Sequence, residues 1–157
     1  MKHTLKASYP APSDLVIRMF TDKDFHTRKL DGMGLQKYEV LDHRFDGKDF
    51  SIRIERKVPV NMPGAKGAES TVVNEEFWNL ASKSGRVQVE AKGIPLEMSC
   101  TMSMADEDGG CVITYEWNVK SSLPIVGGTL EKFAIADMDK RSAQETEAGV
   151  AQLSHYR

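Results

Sequence analysis

Three polar side chains interrupt an apolar stripe near the end of this 157-residue sequence. Asp137, Arg141 and Gln144 fall at helical spacing on the face that carries Val126, Leu130, Phe133, Ala134, Ala148 and Ala151. Taking an unpaired charge out of water is expensive, so charges on a buried face need each other or the polar group of a ligand. With a ligand, Arg141 would hold a carboxylate at the polar end of a pocket. Without one, Asp137 and Arg141 are an i,i+4 surface pair worth only about 0.3–0.5 kcal/mol. A second charged set comes from two extended segments. Arg56 shares its alternation with Ile52 and Ile54, and Glu75 alternates with Val73 and Phe77. The two residues either face inward as an acid–base or anchoring pair, or sit at strand ends and on an exposed face. A third set is apolar: Met98, Met102 and Met104 on one strand face, with Tyr115 and Trp117 on the facing strand. Methionine's unbranched, polarisable chain suits a pocket of variable shape as well as it suits a dry core. Tyr115 would bring a hydroxyl to either. The candidate ligand-binding residues are therefore Met98, Met102, Met104, Tyr115, Trp117, Phe133, Asp137 and Arg141.

Other chemistries find little support. His3, His26, His43 and His155 share no metal-ligand spacing with a carboxylate or cysteine, so no metal site is expected. No phosphate-binding glycine loop, nucleophile elbow or Ser/His/Asp arrangement is present in the pattern, so neither a cofactor nor a catalytic residue is assigned. Lysine plus arginine total 21 against 23 aspartate plus glutamate, a net charge of −2, which argues against a nucleic-acid partner. No run approaches the ~18 apolar residues of a membrane span, so no stable membrane insertion is expected. Residues 1–6 lack the apolar centre of a secretory signal, and two cysteines without a Cys-x-x-Cys motif fit a reducing, cytoplasmic setting. Nothing in the pattern sets an oligomeric state.

The elements that must position these residues follow from periodicity. Leu5, Ala7 and Tyr9 alternate with polar residues in an opening strand ended by Pro10 and Pro12. A short helix then carries Leu15, Val16, Met19 and Phe20, and a second covers about 24–30, stopped by Gly32 and Gly34. From about 35 to 120 the period is two, giving strands near 36–45, 49–58, 71–82, 86–92, 95–105 and 110–120. In the first hairpin a two-residue turn at Asp46-Gly47 would separate Tyr38 and Val40 from Ile52 and Ile54. A bulge or longer loop would unite all four, which the apolar pattern prefers. Residues 59–69 hold two prolines and two glycines and read as a loop, either a lid over a pocket or a plain surface excursion. In the last hairpin the inward sets align with Met104 opposite Cys111 and Cys100 opposite Tyr115, across a tip at 106–109. The cysteines then stand roughly 13 Å apart, too far for a disulfide. After Pro124 a single long helix closes a one-domain chain, 1–157.

Strand, two short helices, a run of strands and a long final helix is the order of an α+β helix-grip fold, a curved antiparallel sheet of about seven strands wrapped around a C-terminal helix. The chain resembles the START-like SRPBCC superfamily, which includes birch-pollen-allergen-like proteins, lipid-transfer domains and aromatic cyclases. More narrowly it resembles a bacterial branch of it, the domain of unknown function 2505. The resemblance rests on Tyr9-Pro10-Ala11-Pro12, the segment Phe20 to Phe25, Glu76-Phe77-Trp78, and Leu123 to Gly128 followed by Glu131, Phe133 and Glu145. It implies the fold, and an internal cavity that binds, transports or sequesters a small hydrophobic ligand such as a lipid or polyketide-like molecule. A cyclase or hydrolase using polar residues in the same cavity is the alternative, because one fold hosts carriers and enzymes alike.

Overall fold

The computed structural model describes residues 1–35, 37–59 and 69–157. Strand β1 (Lys2–Tyr9) is followed by helices α1 (Ser13–Phe20) and α2 (Lys23–Gly32). Six strands come next: β2 (Tyr38–Phe45), β3 (Asp49–Pro59), β4 (Glu69–Asn79), β5 (Ser84–Ala91), β6 (Leu96–Glu107) and β7 (Gly110–Ser121). Helix α3 (Gly127–Val150) and a short 3-10 turn at Leu153–His155 end the chain. All seven strands form one antiparallel sheet in the order β1-β7-β6-β5-β4-β3-β2, so the first strand pairs with the last. Helix α3 lies against β1 and β7 and touches α2, the helix-grip arrangement. The loop expected over 59–69, lid or surface excursion, falls mostly on residues 60–68, outside the described residues.

The alternation sets which side of each strand faces α3. On β3 to β5 the inward residues include Ile52, Ile54, Val58, Val72, Trp78, Val87, Val89 and Ala91, all buried. The first hairpin reaches this phase through a bulge between Val40 and Asp42. Val40 then stands opposite Ile54 and Tyr38 opposite Arg56, so the apolar pattern overrides the register that the tight turn alone would set. That turn is closed by Asp46 Oδ1, which accepts from the amides of Lys48 and Asp49 at 2.8 and 2.7 Å.

The last hairpin corrects the expected register. Glu107 pairs with Gly110, leaving a two-residue turn at Asp108 and Gly109, both at positive φ (48° and 80°). Such a turn matches the twist of the strands, whereas a four-residue tip splays them. Met104 consequently faces Ile113, and Cys100 faces Trp117. The inward faces are unchanged because the slip is by two. Cys100 and Cys111 end up farther apart than expected, and both are free. Burial pushes their thiols up to about 12 and about 11, respectively, so they stay protonated and inert.

Helix α1 shows how the short helices are fixed on the sheet. Pro12 stands at its N-cap and offers no side-chain cap. Asp106 at the end of β6 takes that role: it accepts from the Ser13 amide at 2.7 Å and the Ser13 hydroxyl at 2.9 Å. Ser13 is buried, and Lys83 donates to its hydroxyl at 2.7 Å. Phe20 then meets Tyr9, Phe25 and Trp78 with ring centroids 4.7–5.6 Å apart, which joins β1, α1, α2 and β4 in one aromatic cluster. No helix among the described residues is long and apolar enough to cross a membrane.

Trp78 stands opposite Gly85, where a Cβ would run into the Phe77 carbonyl and come within 3.1 Å of the Trp78 ring. Gly85→Ala should therefore lower stability by about 2 kcal/mol through overpacking at a site with no room to yield. Urea unfolding measures this, and a change under about 0.5 kcal/mol would show that the pair relaxes freely.

Candidate functional site

A cavity of about 260 Å³ lies between the sheet and α3. Its sheet side is mainly apolar: Ile54, Val72, Val87, Val89, Ala91, Leu96, Met98 and Trp117 all line it. Its helix side is not. Phe133, Ala134 and Met138 share α3 with Asp137, Arg141, Ser142 and Glu145, which line the same space. The inward stripe therefore advances in steps of about four, from Leu130 through Ala134, Met138 and Arg141 to Glu145 and Gly149. Gln144 and Ala151, expected on that face, are exposed. Val126, also expected there, is 56 % exposed.

Six of the eight candidate residues reach the cavity wall: Met98, Tyr115, Trp117, Phe133, Asp137 and Arg141. Met102 and Met104 do not. Both are buried in the main core, where they continue the inward face of β6 beyond the cavity. Asp137 and Arg141 do form the i,i+4 pair, with Nε to Oδ2 at 3.0 Å, and they form it on the cavity wall. Glu75 belongs to the opposite face of β4. It pairs with Arg53 at 3.3 Å across the outside of the sheet, and the inward carboxylate is its neighbour Glu76. Trp78 fixes that phase: it is buried, and residues two and four before it, Glu76 and Asn74, must point the same way.

The polar groups that sequence reasoning passed over gather at one end. Lys29 of α2 donates to Glu145 Oε1 at 2.9 Å. About half of the Glu145 side chain stays accessible, and that surface belongs to the cavity. Lys29 holds the Glu145 carboxyl below its ordinary range while burial opposes it. Burial works to lower Lys29, but Glu145 and Glu76 outweigh it, so its ammonium is held charged to higher pH. Glu76 Oε2 accepts from the Trp78 indole at 2.7 Å and lies 3.9 Å from His26 Nε2. That nitrogen is 2.8 Å from the Phe20 carbonyl, which makes it the protonated one, and the ring stacks on Phe50 at 5.3 Å. Burial lowers the His26 pKa against the pull of Glu76, so the imidazole is neutral. Tyr9 completes this end. Its hydroxyl lies against Gly149, where a Cβ would sit 2.7 Å from the oxygen. Burial first, then Glu145 and Glu76, keeps that phenol protonated far above the usual tyrosine range. The α2 residues were legible only as a helix in the sequence, since Lys29 lies almost 120 positions from its partner. Glu145 did appear among the residues carrying the family resemblance.

Among the described residues no group of three or more His, Cys, Asp or Glu could hold a metal ion. What the arrangement offers is a mainly apolar chamber with charged groups on α3, on α2 and at Arg56 and Glu76 of the sheet, four of them in pairs. The paired groups neutralise one another: Lys29 with Glu145, and Arg141 with Asp137.

Because Glu145 ionises more readily folded than unfolded, its stabilisation is complete above about pH 4.3 and is lost as pH falls through its lowered folded value. Glu145→Gln should flatten that part of the acid limb of stability. At neutral pH it should cost about 2 kcal/mol, less than the roughly 3–5 kcal/mol of a fully enclosed pair, because part of the site stays open. The contribution of buried His26, which begins below about pH 6.5, should remain in the variant. Urea midpoints across the acid range measure both.

Comparison with known proteins places these features in a family. Among curated proteins no sequence matches. Solved structures match over nearly the full chain. The protein TTHA0849 from Thermus thermophilus is 18 % identical with a TM-score of 0.65, over 99 % of this chain and 98 % of that one. A START superfamily protein from Mycobacterium smegmatis is 13 % identical with a TM-score of 0.65, over 97 % and 98 %. Norcoclaurine synthase from Thalictrum flavum is 13 % identical with a TM-score of 0.63, over 98 % and 84 %. At these identities the likeness is one of fold. The family model described as "Protein of unknown function (DUF2505)" matches residues 4–152, and the chain belongs to that family.

Proposed function

We propose that this protein binds a small, largely hydrophobic molecule in the cavity between its sheet and α3. The observation that carries the reading is the chamber of about 260 Å³ walled by valine, isoleucine, leucine, methionine and tryptophan side chains. An engineered apolar cavity of about 150 Å³ admits benzene, so this one suits a guest of about ten non-hydrogen atoms. That is the size of a one- or two-ring compound or a medium-chain acid, and smaller than a membrane lipid. Burial of the guest's apolar surface supplies the affinity, and the polar wall on α3 sets its orientation.

Carriage or sequestration fits the ionisation pattern better than catalysis does. The convergence of Lys29, Glu145, Glu76, His26 and Tyr9 at one end is what an enzyme of cyclase or hydrolase type would need. For Lys29, Glu145, His26 and Tyr9 the protonation runs the other way. A general acid or base works best with a pKa near the working pH, yet Lys29 is shifted up and Glu145 down, each locked as an ion by the other. His26 has its protonated nitrogen committed to a backbone carbonyl, and Tyr9 holds its proton firmly.

Native mass spectrometry of protein purified under mild conditions should show a bound small molecule, and 1-octanol or an aromatic alcohol of similar size should raise the melting temperature. Val89→Phe, which fills the chamber from its apolar side, should keep the fold and abolish that stabilisation. If neither the alcohols nor the co-purified fraction binds, the reading fails.

A further inference from the structure

Four of the cavity's polar and charged groups are satisfied by neighbours, and one stretch of wall is not. Asp137 is held by Arg141, Glu145 by Lys29, Glu76 by the Trp78 indole and His26 by the Phe20 carbonyl. Arg56 on β3 lines the cavity, yet its Nε is buried with no hydrogen-bond partner among the described residues. Asn74 on β4, whose side chain shares that wall, has its Oδ1 in the same condition. The register puts Asn74 opposite Ile54 and Arg56 opposite Val72, so the two are diagonal neighbours on one face of the sheet. Buried, unpaired polar atoms are rare in a finished interior; the Arg56 Nε–H calls for an acceptor, whereas Asn74 Oδ1 calls for a donor.

We propose that the ligand carries a carboxylate, and that Arg56 is the cation that pairs with it. The proposal rests on the ligand-binding reading above and adds the chemical class of the guest. A guanidinium stays charged at any ordinary pH, and its planar fork matches a carboxylate through two parallel N–H···O bonds. Burial is the main influence on Arg56 and disfavours its charge; Glu145 and Asp137 offset that in part and Arg141 adds to it. Asp137 and Glu145 already have closer partners and Glu76 accepts from the Trp78 indole, so among the described residues Arg56 makes no ion pair with a carboxylate of the wall. Ile54, Val58 and Val72 flank Arg56 on the wall and, with Val89, would receive the guest's apolar body. Arg141, the residue first expected to hold a carboxylate, is occupied by Asp137.

The test uses isosteric acid and alcohol pairs on ligand-stripped protein at neutral pH: octanoate against 1-octanol, and 3-phenylpropionate against 3-phenyl-1-propanol. Titration calorimetry should show at least one acid binding about tenfold or more tightly than its alcohol, as expected for charge-assisted pairing in a buried site. In Arg56→Met that preference should vanish while alcohol binding persists. The ligand-free variant should also melt at a higher temperature than the wild type, since an unpaired buried charge has been removed. Arg56→Gln, which preserves length and polarity, should lose the preference in the same way. If the wild type binds alcohols as tightly as acids, the carboxylate assignment is overturned and hydrophobic binding stands. If both variants melt lower and keep the acid preference, Arg56 is a structural residue and the assignment is overturned. If no acid or alcohol binds, both readings fall together.

Discussion

A helix that turns ionised side chains toward an apolar sheet cannot be pressed flat against it. Asp137, Arg141 and Glu145 all line the space beneath α3, and dehydrating any of them without a partner costs several kcal/mol. The chain resolves this by pairing them within reach of the cavity, Arg141 with Asp137 and Glu145 with Lys29, and by leaving room beneath. At the N-terminal end of α3, Leu130, Ala134 and Met138 do close against Leu96 and Val119. At the far end Gly149 lets the Tyr9 ring come close. The helix is thus fastened at both ends and held off in the middle, and the chamber is a consequence of which residues occupy that middle.

Much of the fold was legible, for a reason visible in particular strands. Val87, Val89 and Ala91 alternate with charged and polar residues, and Met98, Cys100, Met102 and Met104 do the same, so period and phase could be read directly. The bulge in the first hairpin was readable as well, because only an inserted residue puts Val40 and Ile54 on one face. The register of the last hairpin was not. Slipping it by two residues preserves every inward face, so hydrophobic patterning is blind to the choice, and the turn at Asp108-Gly109 decides it.

The site was half legible. Where the wall is apolar, or repeats at helical spacing, the pattern found it: Met98, Trp117, Phe133, Asp137 and Arg141. Where the wall depends on contacts between distant segments, it did not. Lys29 reads as one more charge on a short helix until α3 brings Glu145 to it across the chain. Glu75 and Glu76 are adjacent and chemically identical, and only the burial of Trp78 tells which of them faces inward. Met102 and Met104 share the face of Met98, but a strand face is longer than a cavity, and its far end packs as core.

The same logic separates Arg56 from the other charges. An ion pair inside a protein balances itself and needs nothing further, which is why the Lys29–Glu145 and Arg141–Asp137 pairs are consistent with a closed, empty or occupied chamber alike. The Arg56 guanidinium is different: its Nε is buried with no hydrogen-bond partner among the described residues. An unmet charge there costs the free protein stability, and the proposed carboxylate would offset that cost on binding. On the proposed reading, affinity would be set less by the apolar walls, which favour any oily guest of the right size, than by the Arg56 guanidinium that a carboxylate completes. In the proposed complex, selectivity would come from the residue that makes the empty protein less stable.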